Sequence, residues 1–242
     1  MSKKIKFIPT TEFSNITKNV APELLPPVPA SKNIPEWYSK SERFTTEDNK
    51  PKFFNYSPNP GLKLCVPFLD ALTAGYFIVL NQDVQVTVNS DLDSSLNWLV
   101  QPDPIMVRDF KLGEKIPRPV GHTLEHYAWV GQFGIELPKN YSVLLTHPLN
   151  RHDLPFTTLS GIMDSDKSLS PGNIPFFLKA NWSGIIAAGT PIAQLIPFKR
   201  DNWTAEMGST ELIKKANQQS YNARAVHQGY YKKTFWTRKS YE

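Results

Sequence analysis

GIELPKNYSVLLTHPLNRHDLPFTTLSGIMDSDKSLSPGNIPFFLKANWSGIIAAGTPIAQLIPFK, residues 134–199, is a run of short apolar stretches separated by turn signals. That is how antiparallel strands joined by hairpins read in a sequence. An apolar strand leads into a Pro138-Lys139-Asn140 turn, and YSVLLTHP then alternates until Pro148 stops it. After a polar excursion come Gly161-Ile162-Met163-Asp164-Ser165-Asp166, a turn, and the strand IPFFLKANW. A Gly189-Thr190-Pro191 turn then opens Ile192-Ala193-Gln194-Leu195-Ile196. The stretch predicts a mainly β domain.

Upstream, the β region is expected to begin at Lys63. KLCVPFLDALTAGYFIVLNQDVQVTVNS has a first apolar run, a turn near Thr73-Ala74-Gly75, and then FIVL. Val84, Val86 and Val88 follow at period two, which predicts a half-buried strand. Cys65, in LKLCVPF, reads as a buried strand residue. DLDSSLNWLV predicts a polar turn leading to a strand around Trp98, and the proline-interrupted QPDPIMVRDFKLGEKIPRPVG predicts mostly loop.

Residues 1–62 have the composition of an extended arm. Pro22, Pro26, Pro27, Pro29 and Pro35 impose extended or polyproline geometry. Leu24, Leu25, Val28, Ile34, Trp37 and Tyr38 are interleaved with them. Disorder goes with low hydrophobicity, so the arm is expected to pack on its own domain or on a neighbouring subunit. At the other end, TAEMGSTELIKKANQQSYNARAVHQ predicts a helix with a break near Gly208. Leu212, Ile213, Ala216 and Tyr221 are expected on its buried side. GYYKKTFWTRKSYE closes the chain as an aromatic-basic tail. The expected division is an arm over 1–62, a β domain over 63–200, and a helix with tail over 201–242.

A chain of 242 residues is long enough to bury a proper core. It carries 21 Pro against 12 Gly, which disfavours long helices and suits edge strands, turns and arms. No run approaches the roughly 20 apolar residues of a membrane helix. The opening MSKKIKFIPTTEF has charge but no apolar h-region, so no secretory signal is expected. Cys65 is the one cysteine, which excludes an internal disulfide framework and a cysteine-based zinc site. The net charge of +5 lies wholly in residues 199–242, which carry nine Lys/Arg and four Asp/Glu. A solvated helix with a basic end accounts for that, and so does an acidic or nucleic-acid partner. Arg224, Lys232, Lys233 and Arg238, interleaved with Trp236 and other aromatics, suit stacking plus phosphate contact. Together with Trp37 of the arm they form the candidate partner-binding set.

His122-Thr123-Leu124-Glu125-His126 has the H-x-x-E-H spacing of inverted zinc proteases, a chemistry that needs a helix. Pro117, Pro119 and Gly121 before it favour loop or strand, so no metal site is expected and the histidines read as surface or loop residues. There is no Gly-rich phosphate loop and no G-x-S-x-G elbow. His147, Arg151, His152 and Asp153 form a polar cluster between strands, a candidate anion site or simply a polar loop.

Gly161-Ile162-Met163-Asp164-Ser165-Asp166, and Gly189-Thr190-Pro191-Ile192-Ala193-Gln194-Leu195-Ile196 after it, resemble two motifs of the dUTPase and dCTP-deaminase superfamily. Ala74-Gly75-Tyr76 and Leu137-Pro138-Lys139-Asn140-Tyr141 resemble two more, so the likeness covers roughly residues 65–200. The resemblance implies a β-clip (dUTPase-like) barrel or sandwich, usually trimeric, with nucleotide sites between subunits. It makes Asp164 the general base of a hydrolase, and Mg2+ a cofactor in that case alone. The departures are as specific as the matches. Phe77 stands for the metal-linked aspartate, Lys167 for the nucleoside-contacting tyrosine, and residues 146–151 for the phosphate-holding R-S-S segment. The Gly-rich closing motif has no counterpart. Such a site lacks the charge neutralisation that phosphoryl chemistry requires, and Asp164 reads equally as a turn residue.

The full chain also resembles an uncharacterised family of tailed-phage proteins. PPVPASKNIPEWY, CVPFLDALTAGYFIVL, THPLNRHDLPFTTLSGIMDSD, GTPIAQLIPFKRDNW and YKKTFWTRKSYE carry the likeness. It implies a bacteriophage protein, in the virion or in the cytoplasm of the infected bacterial host, and brings no activity with it. Three readings follow. The first is a non-catalytic structural or assembly component of the virion, homo-oligomeric or bound to other phage structural proteins. The second is a nucleotide-binding or nucleotide-sequestering protein with His147, Asn150, Arg151, Asp164, Lys167 and Gln194 facing the ligand. The third is a divergent hydrolase using Asp164. Nucleic-acid binding through the basic tail is a further possibility.

Overall fold

The computed structural model describes residues 3–10, 24–45, 59–90, 93–99, 102–108, 116–223 and 229–242. In chain order the first strands are β1 (Lys6–Pro9), β2 (Val28–Pro29), β3 (Phe44–Thr45), β4 (Asn59–Pro60), β5 (Tyr76–Val79), β6 (Val84–Ser90), β7 (Asp93–Asn97) and β8 (Ile105–Val107). Then come β9 (His122–Trp129), β10 (Phe133–Glu136), β11 (Tyr141–Thr146), β12 (Phe156–Thr158), β13 (Gly161–Met163), β14 (Ile174–Lys179), β15 (Gly184–Ile186) and β16 (Pro191–Lys199). The helices are α1 (Glu36–Lys40), α2 (Val66–Thr73), α3 (Thr210–Tyr221) and α4 (Tyr230–Thr234). The described fold is mainly β.

The largest sheet has the order β13-β11-β16-β5-β2, and a second has the order β12-β14-β9-β8. A three-stranded sheet, β15-β6-β7, and the pairs β1-β10 and β3-β4 complete the set. Neighbouring strands in all of them run antiparallel. One apolar cluster takes side chains from all but the β3-β4 pair, so the sheets share a core. At its centre the Trp129 ring stacks on Phe176, with centroids 3.7 Å apart and an interplanar angle of 8°, and Phe156 meets Trp129 edge-on at 5.0 Å. Trp129 Nε1 donates to Thr158 Oγ1 at 3.2 Å, so its one polar group is satisfied inside the core. Truncating such an aromatic to alanine costs about 3–5 kcal/mol.

Strand β5 explains the apolar residues of the stretch 25–30. Tyr76 and Ile78 point into the main core, while Phe77 and Val79, on the opposite face, form a second cluster with Ala30. Leu25 and Val28 pack on that cluster. Pairing of β2 with β5 sets Val28 opposite Phe77 and Pro29 opposite Tyr76. Leu25 N–H donates to Asn81 Oδ1 at 3.0 Å. The stretch 25–30 therefore covers a sheet face of its own chain. Farther along, Tyr38 of α1 stacks on Phe68 of α2 at 5.9 Å.

Four local expectations are corrected. The apolar run around Cys65 is not a strand: Val66–Thr73 is helix α2, with Pro67 in its first turn, where a missing N–H costs nothing. Cys65 accordingly lies at the helix start and is exposed rather than buried. His122 and His126 lie in β9, between β14 and β8, and are buried, not at the surface, with the His126 ring against Phe177. The strand expected around Trp98 sits earlier, over Asp93–Asn97. Helix α3 forms as expected, with Ser209 Oγ accepting the Leu212 N–H at its start, but it buries no residue. Tyr221, nine residues after Leu212, is about half a turn away from it around the helix axis, so the two cannot share a face.

Candidate functional site

β11 and β16 pair with Tyr141 opposite Lys199, so Arg200 leaves the sheet beside the turn that precedes β11. Arg200 N–H donates to Asn140 O at 2.9 Å, and Asn140 holds a left-handed backbone (φ 67°) that asparagine tolerates. β13 pairs with β11 on the other side and delivers Asp164-Ser165-Asp166 to the same place. Asp164 O accepts the N–H groups of Lys167 at 2.9 Å and Ser168 at 3.1 Å, so the D-x-D segment is a tight turn.

Four polar side chains converge there, those of Arg200, Asp164, Asp166 and Ser142. Arg200 Nη1 and Nη2 reach the two oxygens of Asp166 at 2.8 and 2.5 Å, and Nη1 lies 3.1 Å from Asp164 Oδ1. Ser142 Oγ donates to Asp164 Oδ1 at 2.7 Å, and Asn140 N–H donates to Asp166 Oδ2 at 2.8 Å. The Asp166 side chain is only 4% exposed, whereas that of Asp164 is 49% exposed. The Arg200 hydrogen bonds hold the Asp166 carboxyl down at about 2. The Ser142 hydrogen bond, with Arg200 and Lys167 nearby, holds Asp164 below the usual carboxylate range. Both are anions whose charge a residue of the same chain already neutralises.

The second expected cluster is also paired within the chain, except that Arg151 Nη1 is buried without a hydrogen-bond partner among the described residues. His147 Nε2 donates to Arg151 O at 3.0 Å while Nδ1 accepts from Thr158 N–H at 3.3 Å, so the ring is neutral and both nitrogens are engaged. Burial pushes its pKa down. Arg151 is buried and makes a forked pair with Asp153, at 3.0 Å from Nε and 2.9 Å from Nη2. Trp37 Nε1 donates to the same carboxylate at 3.3 Å, tying α1 to this loop. Asn150 supplies a left-handed turn residue (φ 61°). Gln194 is fully buried in β16. Its Oε1 accepts from Leu149 N–H at 2.7 Å, and Nε2 donates to Ala71 O and Ala74 O at 3.0 and 2.7 Å. It joins the end of α2 to the His147 loop through the sheet.

Neither a protein-family model nor a curated protein matches the chain.

His122 and His126 are four strand residues apart, a span of about 13 Å. Among the described residues no group of three His, Cys, Asp or Glu is placed to hold a metal ion. His122 Nε2 instead bonds Thr157 Oγ1 at 2.8 Å, and the His126 ring packs against Phe177. In the tail, Trp236 Nε1 donates to Asp70 at 3.0 Å, and Lys239 forms an ion pair with the same carboxylate at 2.6 Å. Lys232 lies 5.9 Å from the centroid of the Trp236 ring. Lys233 and Arg238 are exposed, and Arg224 lies outside the described residues. Trp236 is thus held against its own domain. Among the described residues no helix is long and apolar enough to cross a membrane.

Arg200, Ser142 and Asn140 are the participants that sequence reasoning missed. No local motif marks them. Their meeting depends on the register of β11 with β13 and β16.

Proposed function

We propose that this protein is a non-catalytic structural subunit of a tailed-phage particle, built on a dUTPase-like β-clip core. It assembles with further copies of itself, a trimer being the arrangement the resemblance implies, or with other structural proteins of the virion. The observation that carries this reading is segment 201–221. All of its residues except Gln219 are exposed, including Trp203 at 88% and Met207 at 97%. Leu212 and Ile213 of α3 are more than half exposed. Apolar side chains gathered on one outstanding segment mark an interaction surface.

The chemistry around Asp164 supports the same reading. A general base needs an available lone pair and a midpoint near the working pH. Asp164 is bonded to Ser142 and Arg200 and sits below the carboxylate range. Phosphoryl transfer needs cations free to neutralise the transferred group, and Arg200 is already paired with the two aspartates. The His147, Arg151 and Gln194 side chains likewise have partners inside the chain.

Analytical ultracentrifugation of the full chain, with a parallel assay of nucleoside triphosphate turnover in Mg2+, tests the proposal. A discrete multimer without turnover is expected. A monomer overturns self-assembly, and turnover that disappears in Asp164→Asn overturns the non-catalytic reading.

A further inference from the structure

Lys3 to Lys6 and Ser240 to Glu242, with Tyr76 of β5 and Tyr141 of β11, line a half-open pocket of about 770 Å3. That volume lies within the range of small-molecule sites, roughly 300–1,000 Å3. Asp164, Asp166 and Arg200 do not line it, so it is separate from the neutralised turn.

Its walls are aromatic and its rim is cationic. Tyr76, Tyr141 and Tyr241 line it, together with the apolar faces of Pro138 and Pro197. The Tyr76 and Tyr241 rings meet edge to face at 6.0 Å, and Tyr76 is held by its hydroxyl donating to Glu242 O at 3.1 Å. Two of the three rings are therefore mutually braced before any ligand arrives. Of the three lining lysines, Lys6 is committed to Glu136 at 2.8 Å. Lys3 lies 4.4 Å from the Tyr141 ring centroid and bonds the Tyr141 hydroxyl. Lys4 has no hydrogen-bond or ion-pair partner among the described residues. Lys6 is neutralised by Glu136 and Glu242 is the one lining acid, so the ammonium groups left to meet an anion are those of Lys3 and Lys4. A planar ring is the shape that tyrosine faces and edges accommodate.

We propose that this cavity binds a small aromatic anion, with its ring among Tyr76, Tyr141 and Tyr241 and its charged group on Lys3 and Lys4. Lys3 is placed to hold the anion while its ammonium stays over Tyr141, and Lys4 closes on it from the exposed side. The site asks for both parts of the ligand at once. A bare anion finds the lysines but leaves the rings uncovered, and a neutral ring leaves the lysines unpaired.

Calorimetric titration of the full chain with 1-naphthyl phosphate tests this, with inorganic phosphate and 1-naphthol as the separated halves. Saturable binding of the naphthyl phosphate is expected, tighter than either half. Lys4→Ala disturbs no contact of the fold, and together with Lys3→Ala it should weaken binding by about tenfold or more, as loss of charge-assisted hydrogen bonds does. Tyr241→Leu should weaken it while retaining an apolar side chain against Tyr76. Absence of saturable binding overturns the proposal. Equal binding of inorganic phosphate overturns it too, since that is an anion site without ring recognition, as does affinity unchanged in the double lysine variant.

Discussion

Arg200 grips Asp166 with both terminal nitrogens, at 2.8 and 2.5 Å, and does so where the Asp166 side chain is almost wholly shielded from water. The pair closes the gap between the end of β16 and the turn after β13. Removing the guanidinium in Arg200→Gln should raise the Asp166 carboxyl from about 2 toward the ~3.9 of a free aspartate. The folded pKa is the depressed one, so the unfolded chain binds the proton more readily. Stability from this pair is therefore full above about 3.9 and is lost as pH falls through about 2. Denaturant melts between these values should show a steep acid slope in the parent and a flatter one in the variant. Carboxyl NMR titration reads the midpoint directly, and an unmoved Asp166 would sink the idea.

Gln194 reaches three backbone groups at 2.7–3.0 Å from a fully buried position. Gln194→Leu keeps the volume and strands the Leu149 N–H and the Ala71 and Ala74 carbonyls. A buried polar group left unpaired costs about 1–3 kcal/mol, so a total loss near 3–5 kcal/mol is expected in urea unfolding. A loss under 1 kcal/mol would mean that water or a rearranged loop takes over all three.

The strands were legible because short apolar runs are bounded by turn signals: residues 141–146 follow the Pro138-Lys139-Asn140 turn and residues 191–196 the Gly189-Thr190 turn, and they pair as β11 and β16. Asp164-x-Asp166 was legible as a turn for a local reason, the short side chain capping its own backbone. Helix α2 was not, because an eight-residue apolar run fits a buried strand as well as a helix. Pro67 and the Gly75 stop held the deciding information. For α3 the periodicity grouped Leu212, Ile213 and Ala216 but misplaced Tyr221, and it was silent on whether anything covers that face. Arg200 was invisible because its partners are distant in sequence and are brought to it by register alone.

Two buried histidines set the behaviour at mildly acid pH. Burial, with Arg108 nearby, lowers the pKa of His126, and burial also lowers that of His147, near His152, Lys179 and Arg151. Unfolded histidines take up protons near pH 6.5, the folded ones at lower pH. The unfolded chain thus holds more protons in that window, so stability is full above about 6.5 and falls as pH drops through the two folded midpoints. Melting temperature should decline from pH 7 to 5, and His126→Phe, which keeps a ring against Phe177, should flatten part of that decline. An identical slope in the variant would remove His126 from the account.

Gly75 and Gly189 both have positive φ, 66° and 83°, yet they are not equivalent. A Cβ on Gly75 would lie 1.8 Å from Leu195 O, whereas one on Gly189 meets nothing within 4 Å. Gly189→Ala should therefore cost only the left-handed strain, about 1–2 kcal/mol. Gly75→Ala adds a backbone collision that β16 cannot yield to without losing its pairing with β5, and should cost about 4 kcal/mol or more, or prevent folding. Equal melting temperatures for the two variants would show that β16 shifts freely.

Leu212 and Ile213 separate folding from assembly. They are 57% and 55% exposed, and α3 buries nothing, so charged residues there touch no part of the core. Exposed substitutions of this kind stay within about 0.5 kcal/mol of the parent in stability. Leu212→Glu with Ile213→Glu should thus leave the denaturant midpoint of the isolated chain in place. An interface built on the same side chains would have to bury two carboxylates without partners, which costs several kcal/mol and splits the complex. Light scattering should show the multimer falling to a smaller species at unchanged fold. If the variant unfolds instead, α3 packs on its own domain in solution, and if the multimer persists, the interface lies on another face.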